Sequence, residues 1–123
     1  MKRWKTIGEV AKANGQTADT IRFYEKSNML PAVKRGPDGH RAFTLEHVEW
    51  LTLLYWLRET GMSVHDMRRF TALAKAGETG LPERREILET HAATLKARRE
   101  AIDRCESILA VKMARYGSDK GAI

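Results

Sequence analysis

Cysteine is nearly absent from this chain of 123 residues, and its scarcity excludes several kinds of site. The single cysteine, Cys105, allows no disulfide within the chain and no metal cluster held by cysteines of one chain alone. The histidines form no pair at metal-ligand spacing on one helical face; they are His40, His47, His65 and His91. We therefore expect no bound metal and no other cofactor.

Long apolar stretches and the common catalytic motifs are missing too. No run approaches the roughly 20 apolar residues that a membrane-spanning helix needs. Residues 1–5 read MKRWK, without the apolar core of a signal peptide, and the expected location is the cytoplasm. The sequence has neither a nucleotide-binding glycine motif nor a Ser/His/Asp or paired-carboxylate arrangement. We therefore do not expect an enzyme.

Positive charge is what the chain has in excess, and most of it lies near the N-terminus. Lys and Arg number 22 against 16 Asp and Glu, for a net charge of +6. Residues 1–43 carry nine basic and four acidic side chains, whereas residues 44–123 carry 13 and 12. Basic residues that neutralise phosphates release bound counterions, so a nucleic-acid-binding module concentrates charge in this way. Ordinary surface charge for solubility is the alternative.

Two short helix patterns joined by a tight turn occupy the same basic segment. The first covers residues 6–13 and ends at Gly15, where a positive φ is cheap only without a Cβ. Thr17 is a good N-cap for the second helix, which is predicted to end near Asn28. This pattern is typical of a helix-turn-helix, whose second helix lies in the major groove of duplex DNA.

The start of the second helix carries the candidate DNA-reading side chains. We expect Thr17, Ala18, Thr20 and Arg22 to face base edges or the adjoining backbone. Arg22 is the predicted specific reader, because a guanidinium pairs bidentately with guanine. Two interpretations of Tyr24 stay open, a hydroxyl on a phosphate or a ring packed in the core.

A basic loop punctuated by proline and glycine follows at residues 31–43, which we call the wing loop. Its Asp38-Gly39 dipeptide favours a hairpin turn, so we predict a small β-hairpin wing beside the helix-turn-helix. Four side chains of this wing are expected to contact phosphates or the minor groove: Lys34, Arg35, His40 and Arg41. A solvated basic loop without a partner is the alternative.

Two further helices are predicted at residues 44–59 and 63–76, each opened by a Ser or Thr N-cap. The first of them carries Trp50, Tyr55 and Trp56. Part of this aromatic surface is a candidate pocket for an apolar effector. Packing in the core or at a dimer interface is the alternative.

Apolar residues recur every seven positions in the C-terminal segment. They are Leu81, Leu88, Leu95, Ile102, Leu109 and Tyr116. A strict seven-residue repeat keeps one seam against a partner helix, so those from Leu88 onward are predicted dimer contacts of a coiled coil. A helix folded back on its own domain is the alternative. We predict a DNA-binding domain at residues 1–76, a linker at 77–82, a dimerisation helix at 83–116 and a flexible tail at 117–123.

Three stretches together resemble the MerR family of bacterial transcription regulators. They read TIGEVAKANGQTADTIRFYEKSNMLP, VKRGPDGHRAFT and LRETGMSVHDMRRF. The resemblance implies a homodimer joined by an antiparallel coiled coil and bound to a palindromic promoter with an overlong spacer. It also implies that the dimer bends and untwists this DNA so that RNA polymerase can read it, with protein contacts offsetting the cost of distortion.

The resemblance assigns roles to individual side chains. The recognition-helix matches are Thr17, Thr20 and Arg22, with Tyr24 as the phosphate-binding tyrosine. The wing matches are Arg35, Arg41 and Phe43. The family's wing commonly reads N-G-Y-R-x-Y, whereas this chain reads DGHRAF and lacks both tyrosine hydroxyls. Gln16 also replaces the apolar residue that usually follows the turn glycine.

The stretches PERREILETH and KARREAIDR resemble the subgroup that responds to aldehydes and related electrophiles, which implies a role in stress response. The reactive cysteine of that subgroup corresponds to Trp56 here. Cys105 is either a substitute thiol, activated by neighbouring arginines, or an inert residue of the coiled-coil seam. The surface near Trp50 and Trp56 is the next candidate for effector sensing.

The sequence thus predicts a mainly α-helical protein, with a winged helix-turn-helix and a long dimerisation helix, that regulates transcription by binding specific promoter DNA. The alternative is a coiled-coil interaction or adaptor module with non-specific affinity for nucleic acid. A preference for particular DNA fragments at moderate salt separates the two interpretations.

Overall fold

The chain is mainly α-helical, as predicted. A computed structural model describes residues 6–39, 41–118 and 123. Its elements are α1 (Ile7–Asn14), α2 (Ala18–Lys26), α3 (Leu45–Glu59), α4 (Val64–Lys75), a 3₁₀ turn (Gly77–Gly80) and α5 (Leu81–Ser118). The chain divides into a first unit, Met1–Ile87, and a second unit, Leu88–Ile123. Among the described helices none combines the length and the hydropathy that crossing a membrane requires.

The first four helices begin where local capping chemistry dictates. Each N-cap has an extended backbone, and its hydroxyl accepts a hydrogen bond from the amide three residues on. The N-caps are Thr6, Thr17, Thr44 and Ser63. These bonds satisfy amides that have no partner inside the helix, which confirms the predicted starts. Gly15 ends α1 with a φ of 70° in the left-handed region, as the turn requires.

The core of the first unit lies between α1, α2, α3 and α4. Ile21 of α2 and Leu51 and Leu54 of α3 are fully buried there. Trp50 stacks on Phe70 of α4, with ring centroids 5.2 Å apart and planes 11° apart. This core fixes the position of α2, because both residues of its apolar face are inside it.

The β-hairpin predicted for the wing loop was wrong. Its described residues form no β-strand; Arg35 and Arg41 form an antiparallel bridge, and Phe43 is a further bridge residue. The Ala42 amide donates to the Lys34 carbonyl at 2.7 Å, and the turn at Gly39 has the positive φ expected there. The Gly39 amide donates to the Gly36 carbonyl at 3.0 Å, so Pro37 and Asp38 are the central residues of a turn, and the arms on either side of it are too short for a ladder.

The predicted linker at residues 77–82 is helical. The 3₁₀ turn follows α4, and α5 begins at Leu81, two residues before the predicted start. Gly80 is buried, and a Cβ at this position would lie 2.2 Å from the Leu73 carbonyl oxygen. Arg69 of α4 also pairs with Glu83 in the first turn of α5, at 3.1 Å. The 3₁₀ turn therefore packs directly against α4.

Helix α5 buries no residue along its described length from Leu81 to Ser118. Of the predicted seam, Leu88, Ile102, Leu109 and Tyr116 are exposed, and Leu95 is half-buried. Cys105 is exposed as well. In a single chain the seven-residue apolar repeat therefore lies largely in water.

Candidate nucleic-acid interface

Helix α2 presents one face to the core and the other to solvent. Ile21 and Tyr24, three residues apart, are buried, which leaves Asp19, Arg22 and Lys26 exposed. The two threonines of its first turn support one another. The Thr17 hydroxyl oxygen accepts the Thr20 amide at 3.1 Å and lies 2.9 Å from the Thr20 hydroxyl oxygen. The predicted reading residues Thr17, Ala18, Thr20 and Arg22 all retain accessible surface.

Among the described residues Arg22 forms an exposed ion pair. Its Nη1 donates to Asp19 Oδ1 at 3.0 Å, and the two side chains are 56% and 94% exposed. An ion pair this exposed contributes about 0–1 kcal/mol, because water screens it. A phosphate or a guanine edge therefore competes for the guanidinium at little cost.

Two predicted DNA-contacting side chains lie in the core instead of on the surface. Tyr24 and Phe43 are both fully buried. Burial raises the pKa of the Tyr24 hydroxyl above its ordinary value, while nearby Arg58 partly opposes the shift. Phe43 immediately precedes the N-cap of α3 and is buried together with Val48, which is the arrangement of a hydrophobic staple. In this conformation neither ring is available to a phosphate.

A basic groove lies where α1, α2 and the wing loop meet. Its open volume is about 330 Å³, and its lining consists of Thr6, Ile7, Gly8, Arg22, Arg35, Gly39 and Arg41. Three arginines thus line this groove together with the first turn of α1. Free amides and the positive end of the helix dipole make such a turn favourable for anions. The groove suits a phosphate of a nucleic-acid backbone.

The two wing arginines, Arg35 and Arg41, also bond to groups beside the groove. Arg41 Nη1 forms an ion pair with Glu25 Oε1 on α2, and this pair is partly buried. Arg35 Nη1 donates to the Gly39 carbonyl oxygen at 2.9 Å, across the tip of the wing loop. Lys34 is exposed. His40, the fourth predicted basic contact of the wing, lies outside the described residues.

Several side chains that position the site were not predicted from the sequence. Gln16, which replaces an apolar residue, donates from Nε2 to the Leu51 carbonyl at 2.9 Å and so ties the turn to α3. Arg68 of α4 donates to the Ser27 carbonyl at 3.2 Å. Lys75 donates to Asn28 Oδ1 at 2.8 Å. Cations here also complement the negative end of the α2 dipole.

The candidate effector-sensing residues have different surroundings. Trp50 is partly buried, and its Nε1 donates to the Met29 carbonyl at 2.8 Å. Trp56 is 58% exposed and lies edge-on to Tyr55, with ring centroids 5.1 Å apart. Over the described part of the chain, no three His, Cys, Asp or Glu side chains cluster closely enough to hold a metal ion.

The capped helix pair, its exposed second helix and the adjoining basic groove define a helix-turn-helix DNA-binding protein. Comparison with known sequences gives the family. Residues 5–73 match the family model described as MerR HTH family regulatory protein, and the chain belongs to this family of transcriptional regulators.

Individual relatives extend the likeness beyond the first four helices. An uncharacterized HTH-type transcriptional regulator of Haemophilus influenzae is 35% identical over 115 residues, which cover 94% of this chain and 85% of that protein. The regulator AdhR of Bacillus subtilis is 34% identical over 82 residues, covering 67% of this chain and 59% of its own length.

A solved structure is similar over almost the whole chain. HiNmlR, described as a MerR family regulator lacking the sensor domain, was crystallised bound to promoter DNA. It superposes with a TM-score of 0.84 at 34% identity, covering 94% of this chain and 91% of its own. The likeness includes the long C-terminal helix, because no shorter match would reach this coverage.

Proposed function

We propose that this MerR-family regulator binds a palindromic promoter as a homodimer and distorts the spacer DNA to control transcription by RNA polymerase. The observation that carries the proposal is the groove that Arg22, Arg35 and Arg41 line together with the first turn of α1, beside the exposed face of α2. Phosphate contacts at such a groove fix the orientation of the protein on the duplex, and the helix beside it reads the bases.

The proposed base-reading surface is the N-terminal half of α2. Thr17, Ala18, Thr20 and Arg22 face the major groove, with Arg22 as the specific reader. The proposed backbone contacts come from the wing loop, through Lys34, Arg35, His40 and Arg41. Tyr24 and Phe43 support this surface from the core, as their burial indicates.

The proposed dimer interface is the apolar seam of α5. It consists of Leu88, Leu95, Ile102, Leu109 and Tyr116. Exposed apolar side chains at a seven-residue spacing favour packing against a second helix, which removes their surface from water. A twofold dimer presents two copies of α2 to DNA, and this matches the two halves of an inverted repeat.

Distortion of the spacer is the proposed route to regulation. A protein that grips both half-sites at once can hold the intervening DNA bent or untwisted, and the additional contacts offset the deformation energy. We accordingly propose RNA polymerase as the functional partner and the cytoplasm as the location. In functional terms residues 1–76 bind DNA and residues 83–116 dimerise.

A binding-site selection followed by affinity measurements tests the proposal. Genomic fragments selected by the protein should share an inverted repeat, and the wild-type chain should bind this repeat more tightly than scrambled DNA at two salt concentrations. Failure to enrich any sequence, with equal binding to all fragments, would contradict it and favour a module with non-specific affinity.

A further inference from the structure

One imidazole joins the two ends of the wing loop. His47 lies in the first turn of α3, and its Nδ1 is 3.0 Å from the Thr44 amide nitrogen. Its Nε2 is 3.2 Å from the carbonyl oxygen of Ala32. Because the Thr44 amide can only donate, Nδ1 accepts, and Nε2 therefore carries the proton and donates to Ala32. Ala32 is at the beginning of the wing loop, and Thr44 directly follows its end.

The surroundings of His47 keep the ring in this orientation. Thr44 Oγ1 is 2.9 Å from Nδ1 and also receives the His47 amide, which completes a capping box. The buried ring of Phe43 meets the imidazole edge-on, with centroids 6.0 Å apart. The side chain is thus fixed by contacts on more than one side.

The rest of the wing loop has few bonds to hold its arms together. The arms are joined at the bridge between Arg35 and Arg41, which includes the hydrogen bond from the Ala42 amide to the Lys34 carbonyl. At the tip the Gly39 amide donates to the Gly36 carbonyl and Arg35 donates to the Gly39 carbonyl, while Arg41 pairs with Glu25 on α2. Closing a loop costs conformational entropy, and without a strand ladder few contacts offset that cost. A side chain that binds both ends of the loop offsets part of this cost.

We propose that His47 is a positioning residue for DNA binding: by joining Ala32 to Thr44 it holds the wing loop so that Arg35 and Arg41 lie beside Arg22. It acts through these arginines without contacting DNA. The inference rests on the proposed function for its consequence, but the hydrogen-bonded tie itself is a property of the free protein.

Three substitutions of His47 separate its two hydrogen bonds. In H47Q the amide oxygen can accept from Thr44, as glutamine does in a capping box, and the amide nitrogen can donate to Ala32. In H47E the acceptor for Thr44 stays, but a carboxylate has no proton to donate to the Ala32 carbonyl. H47A removes both bonds. Gln and Glu have nearly the same shape, so they form a matched pair.

Amide hydrogen exchange in the 123-residue chain without DNA tests the tie directly. We expect exchange of the Ala42 amide to accelerate about tenfold in H47E and H47A and to stay within about threefold in H47Q. Amides in the middle of α3, such as that of Leu54, report on general destabilisation and should change less than the Ala42 amide. Unchanged Ala42 exchange in H47E and H47A, or an H47Q variant that behaves like H47A, would overturn the proposal.

A double-mutant cycle on the selected DNA tests the consequence. We expect H47A to weaken binding about tenfold in the wild-type background but much less when Arg35 is already alanine. Equal losses in both backgrounds would contradict the part of the proposal in which His47 acts through Arg35. If Ala42 exchange responds as expected while the wild-type chain prefers no DNA sequence, the tie stands and the proposed function fails.

Discussion

The two units of this chain use apolar residues in opposite ways. Helix α2 has nine residues and buries Ile21 and Tyr24 completely in the core of its own unit. Helix α5 has 38 residues and buries none of them. Both are helical, so the difference lies in where the apolar faces find a partner. The first unit has its partner surfaces within the chain, and the second unit carries a repeat that a second chain is proposed to cover.

This difference separates two kinds of stability. Packing within the first unit does not depend on protein concentration, whereas association through α5 obeys mass action. The two contributions can therefore be changed one at a time. The substitutions below do so, beginning with the largest expected effect.

Ile102→Asp should abolish the dimer at micromolar concentrations. Ile102 is 58% exposed in the single chain. In the dimer the substitution removes the apolar contacts of two isoleucines and places two unpaired carboxylates in the interface. The total cost is about 4 kcal/mol, which raises the dissociation constant about 1,000-fold. Sedimentation equilibrium measures the change. Ala93→Asp is the matched control, since Ala93 is exposed about two and a half turns away on the opposite side of α5. Equal dissociation in both variants would contradict the proposed seam.

Leu54→Ala should destabilise the first unit by about 3 kcal/mol, because Leu54 is fully buried and its truncation leaves a cavity. Chemical denaturation followed by tryptophan fluorescence measures the loss. Leu45→Ala serves as the control; Leu45 is 51% exposed and should cost well under half as much. A loss of the same size for both leucines would mean that the core does not lie where the structure places it.

Arg22→Ala should weaken binding to the selected inverted repeat by about 2 kcal/mol, about 30-fold, and leave non-specific affinity much less affected. Folding stability should hardly change, because the ion pair with Asp19 is exposed. Fluorescence anisotropy with specific and scrambled DNA measures both affinities. Lys26→Ala, also exposed on α2, is the comparison. Uniform weakening on both DNAs would make Arg22 a phosphate contact only.

Gly80→Ala should destabilise the first unit by about 1–2 kcal/mol, since a Cβ there meets the Leu73 carbonyl at 2.2 Å and the backbone must shift. Gly117→Ala, with nothing within 4 Å of the added Cβ, should be neutral or slightly stabilising. Thermal unfolding of the two variants gives the comparison. A Gly80 variant as stable as the wild type would show that the contact between the 3₁₀ turn and α4 is loose.

Cys105→Ser should have the smallest effect, below about 0.5 kcal/mol on folding, because the thiol is exposed. The same variant decides whether the thiol senses electrophiles. A response to aldehyde that survives the substitution rules out Cys105, and the surface at Trp50 and Trp56 becomes the candidate. Tryptophan fluorescence on addition of the compound then tests that surface.

What the sequence could predict follows the range of the interactions involved. Helix starts at Thr17, Thr44 and Ser63 were predictable because an N-cap bonds to an amide only three residues away. The repeat in α5 was equally visible, since periodicity is local. Side chains that act across the fold were not: Gln16 reaches α3, and Arg68 reaches the end of α2. No local pattern encodes such contacts.

The wing loop shows the same limit on a smaller scale. Its turn at Gly39 was predictable from the Asp38-Gly39 pair. The absence of strands on either side was not predictable, because a turn signal does not specify the length of the ladder that follows it. The burial of Tyr24 and Phe43 could not be predicted from residue type, since a tyrosine or phenylalanine serves equally well in a core or at a surface contact. In the sequence His47 was considered only as a metal ligand, and no local pattern indicated its contact with Ala32.

The number of chains bound to one inverted repeat tests the central claim most directly. Sedimentation velocity of the protein with a duplex carrying the selected repeat gives the mass of the complex. Two chains per duplex, with a single half-site bound far more weakly, is the predicted result. One chain per duplex, with the half-site bound as tightly as the full repeat, would contradict the account.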